Sequence, residues 1–129
     1  MPAEKTKKIL VVDDEPDVAS LLTLLLSSQG YAVIVARDGE EALAQALAEM
    51  PDLILLDVML PRMDGYKVAH MLKFDAKYRQ PPVIMLTANV QEKSKETSLA
   101  AGADDYVAKP FDTAELLAKI GLILAGKDK

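Results

Sequence analysis

Five short runs of unbroken apolar residues, each followed by a segment of helical period, restrict this chain to one class of fold. The runs are 9–12 (ILVV), 32–36 (AVIVA), 53–56 (LILL), 83–86 (VIML) and the shorter 106–108 (YVA). They are rich in β-branched residues and do not alternate with polar ones. A strand that is apolar on both sides is covered on both faces, as in a parallel sheet. Parallel strands need crossover connections, and the intervening segments supply them.

In the first crossover Val18, Leu21, Leu22, Leu25 and Leu26 fall at helical spacing, with Gly30 placed to end the helix. Asp38-Gly-Glu-Glu41 has the capping-box pattern and opens a second helix rich in Ala and Leu. Asp64 or Gly65 starts a third, with Val68, Met71 and Leu72 on one face. Residues 90–101 read as a fourth, in which only Val90 and Leu99 are large and apolar. Asp112-Thr-Ala-Glu115 is a second capping box. It opens a C-terminal helix with Leu116, Leu117, Ile120, Ile123 and Leu124 inward. Five strands alternating with five helices predict an α/β doubly wound sheet with right-handed crossovers.

The chain has 129 residues, enough for one domain, and 50% of them are hydrophobic, enough for a core. With no Cys there is no disulfide framework, thiolate metal site or Cys nucleophile. The longest apolar run is six residues, against the ~20 of a membrane span. The N-terminal MPAEKTKK has no apolar stretch behind its lysines, so it is not a signal peptide, and the expected location is cytoplasmic. A net charge of −5 and the absence of Trp argue against nucleic-acid or membrane contact by this chain.

In doubly wound sheets ligands bind beyond the carboxyl ends of the strands. Here the first strand ends in Asp13-Asp14-Glu15, the third in Asp57, the fourth in Thr87-Ala88 and the fifth in Lys109-Pro110. If the strands are parallel, carboxylates, a hydroxyl and an ammonium converge on one edge. Each carboxylate pair at ~4 Å costs roughly 4 kcal/mol at an effective dielectric of about 20. Either some are protonated or a hard cation sits among them. Mg²⁺ suits the second case, because it takes one or two carboxylates and bridges to phosphate. Such an inventory fits phosphoryl transfer, and an Asp can accept the group as an acyl phosphate.

Asp13-Asp14, Asp57, Thr87-Ala88 and Lys109-Pro110, in this order, resemble the response regulator receiver domain of two-component signalling. So do the surrounding words ILVVDDEP, DLILLDVMLPRMDG and GADDYVAKPF. The resemblance covers about residues 8–125, leaving 1–7 and 126–129 as fraying tails. It implies a flavodoxin-like (βα)5 fold with strand order 2-1-3-4-5. It implies Asp57 as phospho-acceptor, fed by a phosphohistidine on a sensor histidine kinase or histidine phosphotransfer protein. Mg²⁺, with Mn²⁺ as a substitute, would be bound by Asp14, Asp57 and the backbone carbonyl of Met59, and by Asp13 through water. Lys109 would pair with Asp57 and then with the phosphoryl oxygens. Thr87 would bind the phosphoryl group and move towards it, with Tyr106 turning inward as the aromatic switch. Ala88 would leave room for the group, Met59 and Asn89 would tune the phospho-aspartate lifetime, and Pro110 would follow a cis bond. Phosphorylation would then change the partner preference of the face formed by helix 90–101, the fifth strand and the C-terminal helix. The downstream partner would be an effector or output domain. The unphosphorylated protein would be mostly monomeric, a signalling switch and not an enzyme with its own substrate.

Each residue also has a plainer reading. Asp13 and Asp14 could cap the first helix ahead of Pro16. Asp57 could be a turn former, Thr87 a β-former and Tyr106 a packed aromatic. Asp64-Gly65 reads as a turn and helix start only. His70 reads as a surface residue, and Lys73, Lys77 and Arg79 as a solvated loop face. Two rival functions fit less well. A phosphohydrolase with an Asp nucleophile commonly has a second Asp two residues on, where this chain has Met59. A flavodoxin-like mononucleotide binder should offer amides from Ser, Thr or Gly in its first loop, where this chain has Asp-Asp-Glu.

Overall fold

In the computed structural model, which describes residues 6–60, 63–87, 102–109 and 111–127, the five apolar runs form one sheet. Its strands are β1 (Lys8–Val12), β2 (Ala32–Ala36), β3 (Leu53–Asp57), β4 (Val83–Thr87) and β5 (Asp105–Ala108). Their order is β2-β1-β3-β4-β5, and every pairing is parallel. This is the expected doubly wound arrangement. Four helices are described: α1 (Pro16–Ser28), α2 (Gly39–Glu49), α3 (Gly65–Phe74) and α4 (Thr113–Lys127). A short 3₁₀ turn spans Ala76–Tyr78. The predicted helix 90–101 and the predicted site residues Ala88, Asn89 and Pro110 lie outside the described residues.

Alternate residues of each strand feed two cores. Leu10, Val12, Ile54, Leu56, Val83 and Met85 pack under α2 and α3, against Ala42, Ala46, Val68 and Leu72. Ile9, Val11, Leu53, Leu55, Ile84 and Leu86 face α1 and α4, against Leu22, Leu26, Leu116 and Ile120. The central strands β1, β3 and β4 are therefore buried almost throughout, which is why their sequences show no alternation. The edge strands β2 and β5 are mostly half-buried.

The predicted helix ends take recognisable forms. After α1, Gly30 adopts φ +90°, and the N–H groups of Gly30 and Tyr31 donate to the carbonyls of Ser27 and Leu26. That is the Schellman pattern, and the left-handed backbone is what requires glycine there. At the start of α2, Asp38 Oδ1 accepts from Glu41 N–H at 2.8 Å, while Glu41 Oε1 accepts from Arg37 N–H at 2.7 Å. The reciprocal bond thus lands one residue earlier than in a standard capping box. Asp112 Oδ1 takes the N–H groups of Ala114 and Glu115 at the start of α4.

Three details differ from the sequence reading. The apolar stripe of α1 is wider than the sheet surface it covers, so Leu21 stays 50% exposed and Ala19 takes a buried place instead. Lys73 is not solvated: its Nζ donates to Asp104 Oδ2 at 2.9 Å and to the Pro81 carbonyl at 3.0 Å. Finally, α4 runs to Lys127, so Gly126 and Lys127 continue the helix where the predicted tail begins. His70 is exposed, its ring 4.6 Å from that of Phe74.

Candidate functional site

The parallel ladder carries the strand ends to a common edge and continues briefly past them. Asp13 N–H donates to the Ala36 carbonyl, Val58 N–H to Leu86, and Lys109 N–H to Thr87, the last at 2.7 Å. These bonds hold the first residues of the β1–α1, β3–α3 and β5–α4 loops as firmly as the strands. Asp13, Asp57 and Thr87 are consequently buried, while Asp14 and Glu15 stand exposed at the mouth.

One oxygen from each of Asp13, Asp14 and Asp57 lies within 4.8 Å of the others. Lys109 enters from β5, its side chain only 15% exposed. Its Nζ is 2.8 Å from Asp13 Oδ2, 3.3 Å from Asp57 Oδ2 and 3.3 Å from Glu15 Oε1. The expected Asp57–Lys109 contact is therefore present, but Asp13 is nearer. The other oxygens are tied to backbone: Asp13 Oδ1 accepts from Glu15 N–H and Asp57 Oδ1 from Met59 N–H, at 2.9 and 3.1 Å. Asp13 thus braces its own loop instead of capping α1, whose N-cap position is taken by Glu15 without a side-chain cap bond.

Burial lifts the Asp57 carboxyl above the ordinary aspartate range. The Met59 N–H opposes that, the Asp13 charge reinforces it, and Lys109 opposes it again. Burial works against the charged form of Lys109, but its hydrogen bond to Asp13 and the charges of Asp57 and Asp13 more than offset this, leaving it raised. A buried carboxylate of raised basicity beside two others and one ammonium suits a hard dication, and oxygen ligands are what Mg²⁺ takes. The oxygen donors of Asp13, Asp14 and Asp57 fit that ion.

Asp14, Glu15, Asp57, Met59 and Lys109 line a cleft of about 330 Å³ over these groups, with Met59 exposed at its lip. A larger groove of about 480 Å³ runs from Asp13 and Asp14 along α1 past Ala19, Ser20, Thr23 and Leu24, with Arg37 as its further charged lining residue. Thr87 ends β4 opposite Ala108 of β5. Tyr106 is half-buried on β5 against the α2–α3 core, and Lys119 of α4 lies 5.5 Å from its ring centroid.

Two residues of this site had no role in the sequence reading. Glu15 completes the contacts of Lys109; its only signal was its place after the Asp pair. Gly65 opens α3 so near the end of β3 that a Cβ there would collide with the Asp57 carbonyl oxygen and lie 2.8 Å from Val58 Cα. The expected helix start at Asp64-Gly65 is present, and the close approach of Gly65 to Asp57 adds to it. Asp64 does cap the helix, accepting from Tyr66 N–H at 2.7 Å.

The family model described as "Response regulator receiver domain" matches residues 9–121. This chain belongs to that family. Among its relatives, the alkaline phosphatase synthesis transcriptional regulatory protein PhoP of Bacillus subtilis is 50% identical over 118 residues, covering 92% of this chain and 48% of PhoP. The receiver domain thus spans about half the length of the curated relatives it matches. Chemotaxis response regulator CheY4 of Vibrio cholerae superposes with a TM-score of 0.86 at 32% identity, covering 92% of this receiver and 99% of CheY4. The receiver domain of sensor histidine kinase PA1611 from Pseudomonas aeruginosa, solved with a magnesium ion in its active-site cleft, superposes at 0.85 with 36% identity. That match covers 94% of this chain and 99% of the other.

Proposed function

We propose that this receiver accepts a phosphoryl group on Asp57 from a phosphohistidine of a sensor histidine kinase or histidine phosphotransfer protein. The observation that carries the reading is the convergence of Asp13, Asp14 and Asp57 at the carboxyl edge of the sheet, with half-buried Lys109 paired to Asp13 and Asp57. In the transfer, the donor's P–N bond breaks with its electron pair going to the imidazole nitrogen. A P–O bond to Asp57 forms, giving an acyl phosphate. The raised basicity of Asp57 makes its carboxylate the better nucleophile, and Lys109, already beside Oδ2, offsets charge on the phosphoryl oxygens. Thr87 supplies a hydroxyl to the same group, and Ala88 a small neighbour.

Asp14, Asp57 and the Met59 carbonyl would hold Mg²⁺ or Mn²⁺, with Asp13 acting through water; PA1611 offers a precedent for magnesium in this cleft. The bound ion supplies charge neutralisation for the attack of one anion on another. Met59 and Asn89 govern access of water to the acyl phosphate and so its lifetime. Thr87 and Tyr106 transmit the change to the face formed by β5, α4 and the segment 90–101, which the sequence predicts as a helix; its partner is an effector or an output domain. The chain is then a switch that promotes only its own phosphorylation and dephosphorylation. It works in the cytoplasm, is mostly monomeric when unphosphorylated, and makes no nucleic-acid contact itself.

The test is labelling with acetyl phosphate and Mg²⁺, followed by mass spectrometry of the intact chain and its peptides. One phosphoryl mass should appear on Asp57, be lost in Asp57→Asn, and be lost in Asp14→Ala or with a chelator through loss of metal. Undiminished labelling of Asp57→Asn, mapped to another residue, overturns the assignment.

A further inference from the structure

We propose that Glu15 is a positioning residue that takes over Lys109 when a divalent cation enters the cleft; this rests on the phospho-acceptor reading above. Lys109 Nζ is nearest Asp13 Oδ2, at 2.8 Å, and Asp13 belongs to the metal-competent carboxylate group. The lysine is therefore an internal competitor for that group. A cation drawing on Asp13 and Asp57 leaves the ammonium facing a second positive charge. Among the described carboxylates within 4.0 Å of Lys109 Nζ, only Glu15 lies outside that metal-competent group.

Its geometry suits the exchange. Glu15 Oε1 is already 3.3 Å from Nζ, so Lys109 can shift its weight from Asp13 to Glu15 without leaving Asp57. The Glu15 backbone is fixed, because its N–H donates to Asp13 Oδ1 and its carbonyl accepts from Ala19 N–H at the start of α1. The Glu15 side chain is 62% exposed, which lets it follow the ammonium. Charge counting points the same way. Asp13, Asp14, Asp57 and Glu15 carry four negative charges against one positive, a surplus of three that one dication reduces to one. Without Glu15 the same ion would bring the cluster to zero, with lysine and metal both pressing on Asp13.

The test is Mg²⁺ titration by calorimetry for wild type, Glu15→Gln, Lys109→Met and the double variant, with Asp57 labelling by acetyl phosphate run alongside. An exposed ion pair is worth up to about 1 kcal/mol, so Glu15→Gln should raise the Mg²⁺ Kd about two- to fivefold. Lys109→Met should lower the Kd by removing the competitor, and in that background Glu15→Gln should have a clearly smaller effect. Thermal unfolding of metal-free Glu15→Gln should match wild type. The ¹³Cε resonance of Lys109 should respond to Mg²⁺ differently in Glu15→Gln, which a general loss of charge would not produce. An equal Kd change in both backgrounds, or none in either, overturns the inference while leaving Asp57 labelling of wild type intact. Failure of wild type to bind Mg²⁺ or to be labelled overturns the phospho-acceptor reading itself, and this inference with it.

Discussion

Gly65 and Asp57 meet backbone to backbone: the first residue of α3 leaves no room for a β-carbon beside the Asp57 carbonyl oxygen. Gly65 N–H also donates to the Val58 carbonyl at 3.0 Å, so the helix start and the strand end are bonded at the same point. A side chain at 65 would push against backbone, which cannot rotate away. Gly65→Ala should destabilise the fold by about 1–3 kcal/mol in urea unfolding, the range for forced overpacking. It should also move the amide resonances of Val58 and Met59. Wild-type stability with unmoved resonances would show that the loop yields without cost.

The raised Asp57 carboxyl has a stability consequence whose sign is fixed. A carboxyl that holds its proton more tightly folded than unfolded makes stability fall as pH rises from the ordinary aspartate value through the raised one. Above that interval the Asp57 charge opposes folding, through burial first and then through Asp13. Without metal, Asp57→Asn should therefore unfold a few degrees higher than wild type at pH 7, with Lys109 keeping Asp13 at 2.8 Å. The gain should shrink as pH is lowered below the interval. Thermal unfolding followed by circular dichroism across pH measures both.

At the opposite edge of the sheet Asp104 is structural. Its Oδ2 accepts from Val83 N–H at 2.8 Å and from Lys73 Nζ at 2.9 Å, joining β4, β5 and α3. Asp104→Ala should cost about 1–3 kcal/mol, because it leaves the N–H of buried Val83 without its acceptor. Asp57 labelling should be unchanged, since the site lies at the other ends of the same strands. A large loss of labelling with little loss of stability would reverse that division.

Metal removal should leave the protein folded. The two cores are formed by apolar side chains and include none of the carboxylates, so chelation should preserve the far-ultraviolet spectrum. Added Mg²⁺ should stabilise the fold by mass action, by about 2.7 kcal/mol at a hundredfold excess over its Kd, and so raise the unfolding temperature. Unfolding on chelation at neutral pH would contradict this.

The sheet and its crossovers were legible because burial on both faces leaves an unambiguous trace: LILL and VIML admit few other readings. The strand-end residues were legible for the same reason, since parallel strands carry their last residues to one edge. The strand order was not; it came with the family resemblance. Lys73 was misread because its partner Asp104 lies 31 residues away, beyond any local pattern. The preference of Lys109 for Asp13 over Asp57 was hidden as well, because it depends on differences of half an ångström. Leu21 was misplaced because helical period identifies a stripe but not how much of it a neighbour covers.

The ion pair between Asp13 and Lys109 spans 96 residues and joins strands that are not neighbours, with β3 and β4 lying between them. A chain cut between β4 and β5 keeps all three aspartates but lacks Lys109. Ribosomal synthesis runs in that order, so any sheet formed before β5 emerges would hold its carboxylates without Lys109. Charge balance at this edge is thus a late event in the life of each molecule, and a partially built receiver cannot counterfeit the finished pocket.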